Sequence, residues 1–415
     1  MDSPGQYLEG SPTDAAILTG LLLAGILVLV ARRRRFVGFM SANRWIILFL
    51  FYCLVSVLWS DYPLVAFKRW SKFLGNVTMV LIVLTDTHPA AAIKRLFART
   101  GFLLIPISML LIKYYPALGR GYSQNVWRTF YSGVSTDKNG LGAVCLVFGL
   151  ASLWRFVEAI REKTNPGRIG SIVAHGTILG ITLWLLYMAN SSTSTVCFAL
   201  GGAVVLIGAR MARRPATIHA IVAATATVGV LSFIFDDAWT AMVHALGRET
   251  NLTGRTDIWN DVLNLHVNPV IGTGFESFWL GARAEYFWSK YVFHPNEAHN
   301  GYLEVFLNEG WIGVVLLALV IVFGYRSVVA AFRQNLPWAT LMLSFLAISA
   351  IYNITEAAFK VIHPVFIAFL FAVIVVPKAP DVEDPRLPCI NHSSNITDQT
   401  SGGRGQCTSL CLEDV

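Results

Sequence analysis

The sequence predicts an all-α, polytopic helical membrane protein with about 11 transmembrane helices. Its 415 residues are 55% hydrophobic and only 14% charged, with a mean hydropathy of +0.57, whereas roughly a quarter of residues are charged in soluble domains. Apolar runs recur along the chain and approach, with their flanks, the roughly 20 residues that span a bilayer core. These runs are 15–31, 46–59, 102–112, 141–156, 178–189, 196–209, 218–235, 312–323, 341–351 and 365–376, with a weaker candidate at 73–85.

The basic residues predict the orientation of these helices. Clusters at 32–35, 94–99, 161–168, 210–214 and 326–333 all fall on one side of the alternating apolar runs, which the positive-inside rule makes cytoplasmic. The amino terminus and the long segment 236–300 are then extracytoplasmic. Lys68, Arg69 and Lys72 fall on the other side and weaken the candidate span at 73–85. This distribution assigns the net charge of +7 to membrane topology and argues against a nucleic-acid partner.

Four segments follow from this pattern. Residues 1–235 are predicted to form an N-terminal transmembrane bundle, and 236–310 a large extracytoplasmic loop that carries short interfacial helices and the chemistry. Residues 311–377 are predicted to form the C-terminal transmembrane helices. The tail at 378–415 is rich in Pro, Ser, Thr, Gly and Asp, a composition typical of disorder.

The densest polar cluster in the loop surrounds His299. If 299–309 is helical, His299 shares a face with Leu303 and Phe306 and points toward the membrane. Structural packing is the usual role of a lone His on an apolar face, but a neutral imidazole in a partly dry site is also suited to accept a proton near pH 7. The spacing of His294, Glu297 and His299 matches no compact zinc site, so we predict no metal and no other cofactor.

Arg255 is predicted to lie at the amino end of a short interfacial helix. Ile258, Val262 and Leu265 form one apolar stripe of this helix, and Asn268–Pro269 is expected to end it. At such a helix end a guanidinium group and free backbone N–H groups can converge on a phosphate. The alternative is that Arg255 forms a surface ion pair with Asp257 or Asp261.

Further candidates for substrate binding lie on the same side. Trp259 and Tyr302 belong to a set of loop aromatic residues that can stack on sugar rings, although an interfacial aromatic belt explains many of that set. Polar and basic candidates are Asn300, Glu304, Glu276 and Arg283 in the loop and Arg120, Arg128 and Lys138 in the segment 116–139. For the three last residues, solvated loop charges are the alternative to phosphate contacts. Glu356 and Lys360 lie near another helix end on this side.

Charged residues are nearly absent from the interiors of the predicted helices. A proton-coupled transporter normally buries ionisable groups near the midplane of the membrane. This absence argues against such a transporter.

Four motifs carry a family resemblance. Arg255-Thr-Asp-Ile-Trp, Asn268-Pro-Val-Ile-Gly-Thr-Gly-Phe, His299-Asn-Gly-Tyr-Leu-Glu and Glu309-Gly-Trp-Ile-Gly occur in this order. They resemble the signature loop of the O-antigen ligase/polymerase superfamily over roughly 250–325. The upstream segment Ser135-Thr-Asp-Lys-Asn-Gly-Leu-Gly is similar to one found in the exopolysaccharide-polymerase branch.

The resemblance implies a GT-C-like, metal-independent inverting glycosyltransferase in the bacterial inner membrane. Its donor is a glycan on undecaprenyl diphosphate, His299 matches the proposed base, and Arg255 matches an Arg that engages the diphosphate. Other implied partners are the lipid bilayer and further polysaccharide assembly and export proteins. Ligases often have a Ser-Arg pair where this chain has Ser194-Thr195. This difference favours polymerisation of lipid-linked repeat units, with an O-antigen ligase and a polysaccharide transporter or flippase as alternatives.

Overall fold

A computed structural model describes residues 11–33, 38–123, 128–164, 166–211, 253–292, 294–334, 337–375 and 377, with scattered positions between 216 and 231. Within these residues the helices of ten or more residues are α1 (Pro12–Ala31), α2 (Arg44–Ser56), α3 (Pro63–Leu84), α4 (Pro89–Tyr114), α5 (Lys138–Arg161), α6 (Arg168–Ala189), α7 (Ser192–Met211), α8 (Thr253–Asn264), α9 (Gly281–Lys290), α10 (Gly301–Arg333), α11 (Ala339–Thr355) and α12 (Pro364–Val373). The predicted tail at 378–415 and half of the run at 218–235 lie outside the described residues.

The helices have the length and composition of membrane spans. In the described part of the chain, α1, α4, α5, α6 and α10 are long and apolar enough to cross a membrane, and α2, α7, α11 and α12 are shorter apolar helices. Each of these nine helices coincides with one predicted run, although the runs at 46–59 and 365–376 extend past the ends of α2 and α12. On α1, Leu21, Leu23 and Leu27 are 61%, 58% and 70% exposed. Such a large exposed apolar surface is suited to lipid rather than water.

Ion pairs of basic residues mark one end of the helical bundle. At one end Arg32 and Arg95 pair with Asp86 at 3.8 and 3.9 Å, and Lys94 pairs with Glu158 at 2.5 Å. Helix α5 begins at the opposite end and has 24 residues, which corresponds to a length of roughly 36 Å. A hydrocarbon core is roughly 30 Å thick, so the basic end and the other end are separated by about one bilayer.

Helix α5 lies inside the bundle, where it packs against α4, α6, α7, α11 and α12. Helix α10 packs against α2, α11 and α12, and α1 packs against α3. The weak candidate span at 73–85 is the second half of α3, a continuous helix that also contains Arg69. The basic residues that weakened this prediction therefore lie within a helix of the bundle.

The loop helices α8 and α9 have a small core of their own. Ile258 and Val262 are both 1% exposed, and they pack with Phe278, Phe287 and neighbouring residues at the start of α10. Leu265 packs against the same cluster, which confirms the predicted apolar stripe. The predicted end of α8 is wrong, because the helix stops at Asn264, before Asn268–Pro269.

Helix α10 is interrupted at Gly310, where φ is 62° and ψ is −166°. In a continuous helix Trp311 and Ile312 would donate to the carbonyl groups of Leu307 and Asn308. The loop at 269–274 supplies both sets of missing partners. Its four backbone hydrogen bonds are Thr273 N to Leu307 O at 3.1 Å, Gly274 N to Asn308 O at 2.8 Å, Trp311 N to Pro269 O at 2.9 Å and Ile312 N to Val270 O at 3.2 Å.

Glycine is required on both sides of this junction. A Cβ atom at Gly310 would lie 2.3 Å from the carbonyl carbon of Val270, and one at Gly272 would lie 2.4 Å from that of Asn308. Both glycines also have positive φ values, which other residues rarely adopt. The motifs at 268–275 and 309–313 therefore form one interlocked unit.

One small sheet departs from the all-α prediction. Arg120–Ser123 and Arg128–Tyr131 form an antiparallel pair of strands in which Arg120 lies opposite Tyr131. Strands of four residues are too short to give a clear alternating pattern in the sequence.

Candidate active site

His299 lies at the centre of a chain of polar contacts, here called the His299 cluster: Arg255, Glu356, His299, Glu297 and Lys360. The Nδ1 atom of His299 lies 2.9 Å from Glu297 Oε1 and 3.2 Å from Glu356 Oε2. Arg255 Nη2 donates to Glu356 Oε1 at 2.8 Å, and Lys360 pairs with Glu297. The structure therefore brings the predicted base and the predicted phosphate-binding Arg onto one carboxylate.

Glu356 follows directly after α11 and is held by its neighbours. Its side chain is 5% exposed, and its Oε1 also accepts a hydrogen bond from Asn139 Nδ2 at 3.1 Å. Asp137 caps α5 by accepting from the backbone N–H groups of Asn139 and Gly140 at 2.8 and 2.9 Å. This cap places Asn139 in the first turn of α5, facing Glu356.

The turn after α11 is fixed by the buried Asn353. Its Oδ1 accepts from the backbone N–H groups of Ala358 and Phe359 at 2.8 and 2.9 Å. The backbone N–H of Gly301 donates to the carbonyl oxygen of Glu356 at 3.1 Å. The start of α10 is therefore attached to the same turn that carries Glu356 and Lys360.

His299 precedes α10 and is not helical. The helix begins at Gly301, and His299 has a φ of 51°, so the predicted helical face shared with Leu303 and Phe306 is wrong. Asn300 explains the difference, because its Oδ1 caps α10 by accepting from Tyr302 N and Leu303 N, both at 3.0 Å. A positive φ in a non-glycine residue costs of order 1–3 kcal/mol and often marks a functional position.

Arg255 is fixed at two points. Besides Glu356, it donates through Nη1 to the carbonyl oxygen of Thr355 at 2.5 Å. The alternative pairing with Asp261 is not formed, because Asp261 accepts instead from Lys290 and Tyr291 at 2.7 and 2.6 Å. Arg255 lies in the first turn of α8, as predicted.

Neighbouring charged groups set the protonation states of His299 and Glu297. Burial disfavours an imidazolium ion, but the hydrogen bonds and charges of Glu297 and Glu356 outweigh burial and raise the pKa of His299 to about 9. Burial also disfavours ionised Glu297, but Lys360 and His299 reverse this effect and hold the pKa of Glu297 well below its usual range. Near pH 7 the resting His299 is therefore protonated, which differs from the neutral imidazole expected from the sequence.

The geometry also selects one tautomer of the neutral ring. Both carboxylates contact Nδ1, and a carboxylate can only accept a hydrogen bond. The hydrogen of neutral His299 is therefore held on Nδ1, and Nε2 carries the lone pair. This is the arrangement in which an imidazole accepts a proton from a substrate through Nε2.

The His299 cluster can be tested for its fit to a metal ion. The ligand atoms of Glu297, His299 and Glu356 lie within 4.8 Å of one another. Each carboxylate is already paired with a cation of the chain, Glu297 with Lys360 and Glu356 with Arg255, and these cations would repel a divalent ion. The residues therefore fit a metal ion poorly. His294 of the zinc alternative stacks on Trp288, with ring centroids 4.9 Å apart.

Two of the predicted substrate-binding carboxylates line a cavity beside the His299 cluster. Glu276 and Glu304 share its wall with Glu297 and Lys360. Glu304 accepts from Trp279 Nε1 at 2.8 Å, and Glu276 accepts from the backbone N–H of Val361 at 3.1 Å. Their place in this wall agrees with the predicted role, which stays a prediction.

Three other residues predicted to bind substrate form hydrogen bonds with backbone groups of the chain. The Oδ1 of Asn300 caps α10, as described. Trp259 donates through Nε1 to the carbonyl oxygen of Ala298 at 2.7 Å, and Tyr302 donates to the carbonyl oxygen of Ala350 at 2.8 Å. Asn300 and Trp259 hold the segment around His299 in place. The roles of all three residues in substrate binding stay predictions.

Arg283, Arg120 and Lys138 are not joined to the His299 cluster by any contact in the described residues. Arg283 pairs with Asp61 at 2.7 Å, and Arg120 donates through Nε to the carbonyl oxygen of Ile112 at 2.9 Å. Lys138 is exposed at the start of α5. The side chain of Arg128 lies outside the described part of the structure.

Comparisons with known proteins agree with the resemblance that the motifs indicated. A family model described as O-antigen ligase matches residues 177–318. The exopolysaccharide production protein ExoQ of Rhizobium meliloti (strain 1021) is 23% identical over 305 residues. The resemblance to the O-antigen ligase/polymerase superfamily is confirmed. The aligned region covers 70% of this chain and 66% of ExoQ, just under two thirds of that relative.

The site extends beyond the segment that carries the superfamily motifs. Arg255, Glu297 and His299 lie within the matched residues 177–318, whereas Asn139, Glu356 and Lys360 lie outside them. The sequence analysis grouped Glu356 and Lys360 with the loop residues, next to which the structure places them, but assigned them no role. The available signal was a Glu and a Lys four positions apart between two apolar runs, a pattern that also fits a solvated turn.

Proposed function

We propose that this protein polymerises undecaprenyl-diphosphate-linked oligosaccharide repeat units into exopolysaccharide or O-antigen. The observation that carries the proposal is the convergence of His299 and Arg255 on Glu356. This site lies at the end of the bundle opposite the ion pairs of Arg32, Lys94 and Arg95. One side chain can take a proton and the other can hold a diphosphate, and glycosyl transfer from a lipid diphosphate needs both. The resemblance to ExoQ supports the choice of exopolysaccharide.

In the proposed reaction a hydroxyl group of the acceptor sugar attacks the anomeric carbon of the donor. The new C–O bond forms as the bond from that carbon to the diphosphate oxygen breaks. The neutral form of His299 takes the hydroxyl proton at Nε2, and undecaprenyl diphosphate leaves with the electron pair. A positioned base contributes about 10²–10⁴-fold to the rate, and Glu297 and Glu356 stabilise the imidazolium ion that forms.

Arg255 is proposed to stabilise the leaving diphosphate. A guanidinium group matches the geometry of phosphate oxygens with two parallel N–H bonds, and negative charge develops on this group as the bond breaks. The first turn of α8 adds the partial positive charge of a helix amino terminus. Arg255 has five N–H donors and uses one on Thr355 and one on Glu356, so a diphosphate can bind the others.

The same proposal includes the placement in the cell. We propose about 11 transmembrane helices in the bacterial inner membrane, with the loop at 236–310 on the extracytoplasmic face. The lipid-linked glycan would then meet the His299 cluster from the outer leaflet. The bilayer and other polysaccharide assembly and export proteins are the proposed partners.

Chain extension by the purified protein tests this proposal. We expect His299→Ala to abolish extension of undecaprenyl-diphosphate-linked repeats in detergent, with unchanged size-exclusion behaviour. His294→Ala is the matched control, since His294 lies in the same loop but stacks on Trp288, and it should retain activity. Wild-type extension by His299→Ala would remove His299 from the role of base.

An O-antigen ligase is the second candidate, because the matching family model carries that description. A ligase would use the same donor chemistry but would transfer the glycan to lipid A core. Supplying the purified protein with both acceptors separates the two reactions. Products on lipid A core alone would support the ligase, and longer lipid-linked chains would support the polymerase.

A further inference from the structure

A cavity of about 110 Å³ lies beside the His299 cluster and shares Glu297 and Lys360 with it. One part of its wall is apolar and aromatic. Phe73 and Phe275 stack there with ring centroids 5.8 Å apart and an interplanar angle of 6°, and Phe366 packs on Phe73. A bound water needs about 10–15 Å³ of such volume, so the cavity has room for the polar groups of a substrate.

The remaining wall is rich in hydrogen-bond acceptors. Its charged residues are the carboxylates Glu276, Glu297, Glu304 and Glu309 and the cations Arg69 and Lys360. Carboxyl groups outnumber cations, and Lys360 already pairs with Glu297. Each of these carboxyl groups can accept a hydrogen bond from a hydroxyl group.

Glu309 has unused hydrogen-bonding capacity in this wall. It is 2% exposed, and its Oε1 accepts from Ser56 Oγ at 3.0 Å. Its Oε2 has no hydrogen-bond partner among the described residues. A buried polar group without a partner costs about 1–3 kcal/mol, and the terminal torsion of a Glu side chain is broad. The carboxyl group of Glu309 can therefore turn to accept a hydrogen bond from a group in the cavity.

We infer that this cavity binds an uncharged, hydroxyl-bearing ring of the acceptor sugar, with Glu309 accepting a hydrogen bond from one of its hydroxyl groups. The inference rests on the proposed function. The aromatic wall suits the C–H face of a pyranose, and the carboxylates suit its hydroxyl groups. The cavity and Arg255 lie at opposite ends of the His299 cluster, which places acceptor and leaving diphosphate on opposite sides of the base.

A thermodynamic cycle tests the role of Glu309. Labelled undecaprenyl-diphosphate-linked repeats serve as donor, and a short-prenyl-diphosphate-linked repeat and its monodeoxy analogues serve as acceptors. With the wild-type protein, one deoxy analogue should lose about tenfold or more in acceptor kcat/KM, as expected when a buried hydrogen-bonding group is left without its partner. In Glu309→Gln that loss should shrink several-fold, while the KM for the donor stays unchanged. The exposed Glu285→Gln is the matched control and should behave as the wild type.

The outcomes separate this inference from the proposed function. If the wild-type protein extends chains but Glu309→Gln shows every wild-type deoxy penalty, the cavity inference alone is overturned. If the wild-type protein extends no chains, the proposed function is overturned and the inference with it. If the change in acceptor kinetics caused by Glu309→Gln depends on added Mg²⁺ and not on the acceptor hydroxyl group, the inference is also overturned.

A second variant keeps the test decisive if Glu309→Gln does not fold. Ser56→Ala removes the hydroxyl group that bonds Glu309 Oε1 and should raise the acceptor KM without changing the donor KM. Unchanged acceptor kinetics in that variant would overturn the inference.

Discussion

Replacing Glu356 with Gln should shift the pH dependence of chain extension toward lower pH. Glu356 Oε2 lies 3.2 Å from His299 Nδ1, and with Glu297 it raises the pKa of His299 to about 9. Only neutral His299 can accept the hydroxyl proton. The wild-type kcat/KM, which reports the free enzyme, should therefore rise with pH up to about 9.

The size of the shift follows from the contacts of His299. The pKa rises from 6.5 to about 9, which corresponds to about 3 kcal/mol of preference for the imidazolium ion at about 1.4 kcal/mol per unit. Two carboxylates oppose burial to produce this preference. A hydrogen bond to a charged group contributes about 1.5–3 kcal/mol, so Glu356→Gln should move the rising limb down by about one to two pH units.

The measurement is kcat/KM for chain extension between pH 6 and 10, with Glu285→Gln as a control for loss of an exposed carboxylate. A wild-type limb near pH 6.5, or an unshifted limb in Glu356→Gln, would refute the assignment of His299 as a base tuned by two carboxylates.

The raised pKa of His299 also predicts that the stability of the fold depends on pH. Because the folded-state pKa of His299 is raised, its stabilisation is fully present below about pH 6.5 and is lost as pH rises through about 9.

Three further predictions concern residues around the His299 cluster. Arg255→Lys should lower kcat/KM for the donor by at least about tenfold, since Lys cannot make the two parallel bonds of a guanidinium group; donor kinetics equal to those of the wild type would contradict its role. Gly310→Ala should lower the free energy of unfolding by about 1–3 kcal/mol, because its Cβ would lie 2.3 Å from the carbonyl carbon of Val270. An unchanged thermal midpoint in detergent would argue against the interlocked loop. Trp259→Phe removes the 2.7 Å hydrogen bond to Ala298, worth about 1 kcal/mol, and should lower kcat/KM about fivefold in the extension assay; full activity would show that Trp259 does not hold the His299 segment.

Local patterns predicted the helices well because each pattern is contained in one element. The apolar runs gave the described spans, and the stripe of Ile258, Val262 and Leu265 gave the buried face of α8. Helix ends were predicted less well, since they depend on single capping contacts. Asn300 begins α10 after His299, and this one cap removed His299 from its predicted helical face.

The partners of the predicted site residues were beyond sequence patterns. Arg255 and Glu356 are 101 positions apart, and His299 and Glu356 are 57 apart. Periodicity assigns a residue to a face or a side of the membrane, but it does not choose one partner among many carboxylates. The sequence offered Asp257 or Asp261 as partners of Arg255, and Asp261 is instead bonded to Lys290 and Tyr291.

Charge balance explains why the site requires distant parts of the chain. Arg255 and His299 are both partly buried, and buried charges need compensating partners. Of the loop carboxylates, Glu297 bonds His299, whereas Asp261 bonds Lys290 and Glu304 bonds Trp279. The carboxylate that compensates Arg255 comes from Glu356 at the end of α11, and a loop detached from the bundle would lack it. Docking of the loop onto the bundle and assembly of the His299 cluster are therefore the same structural event.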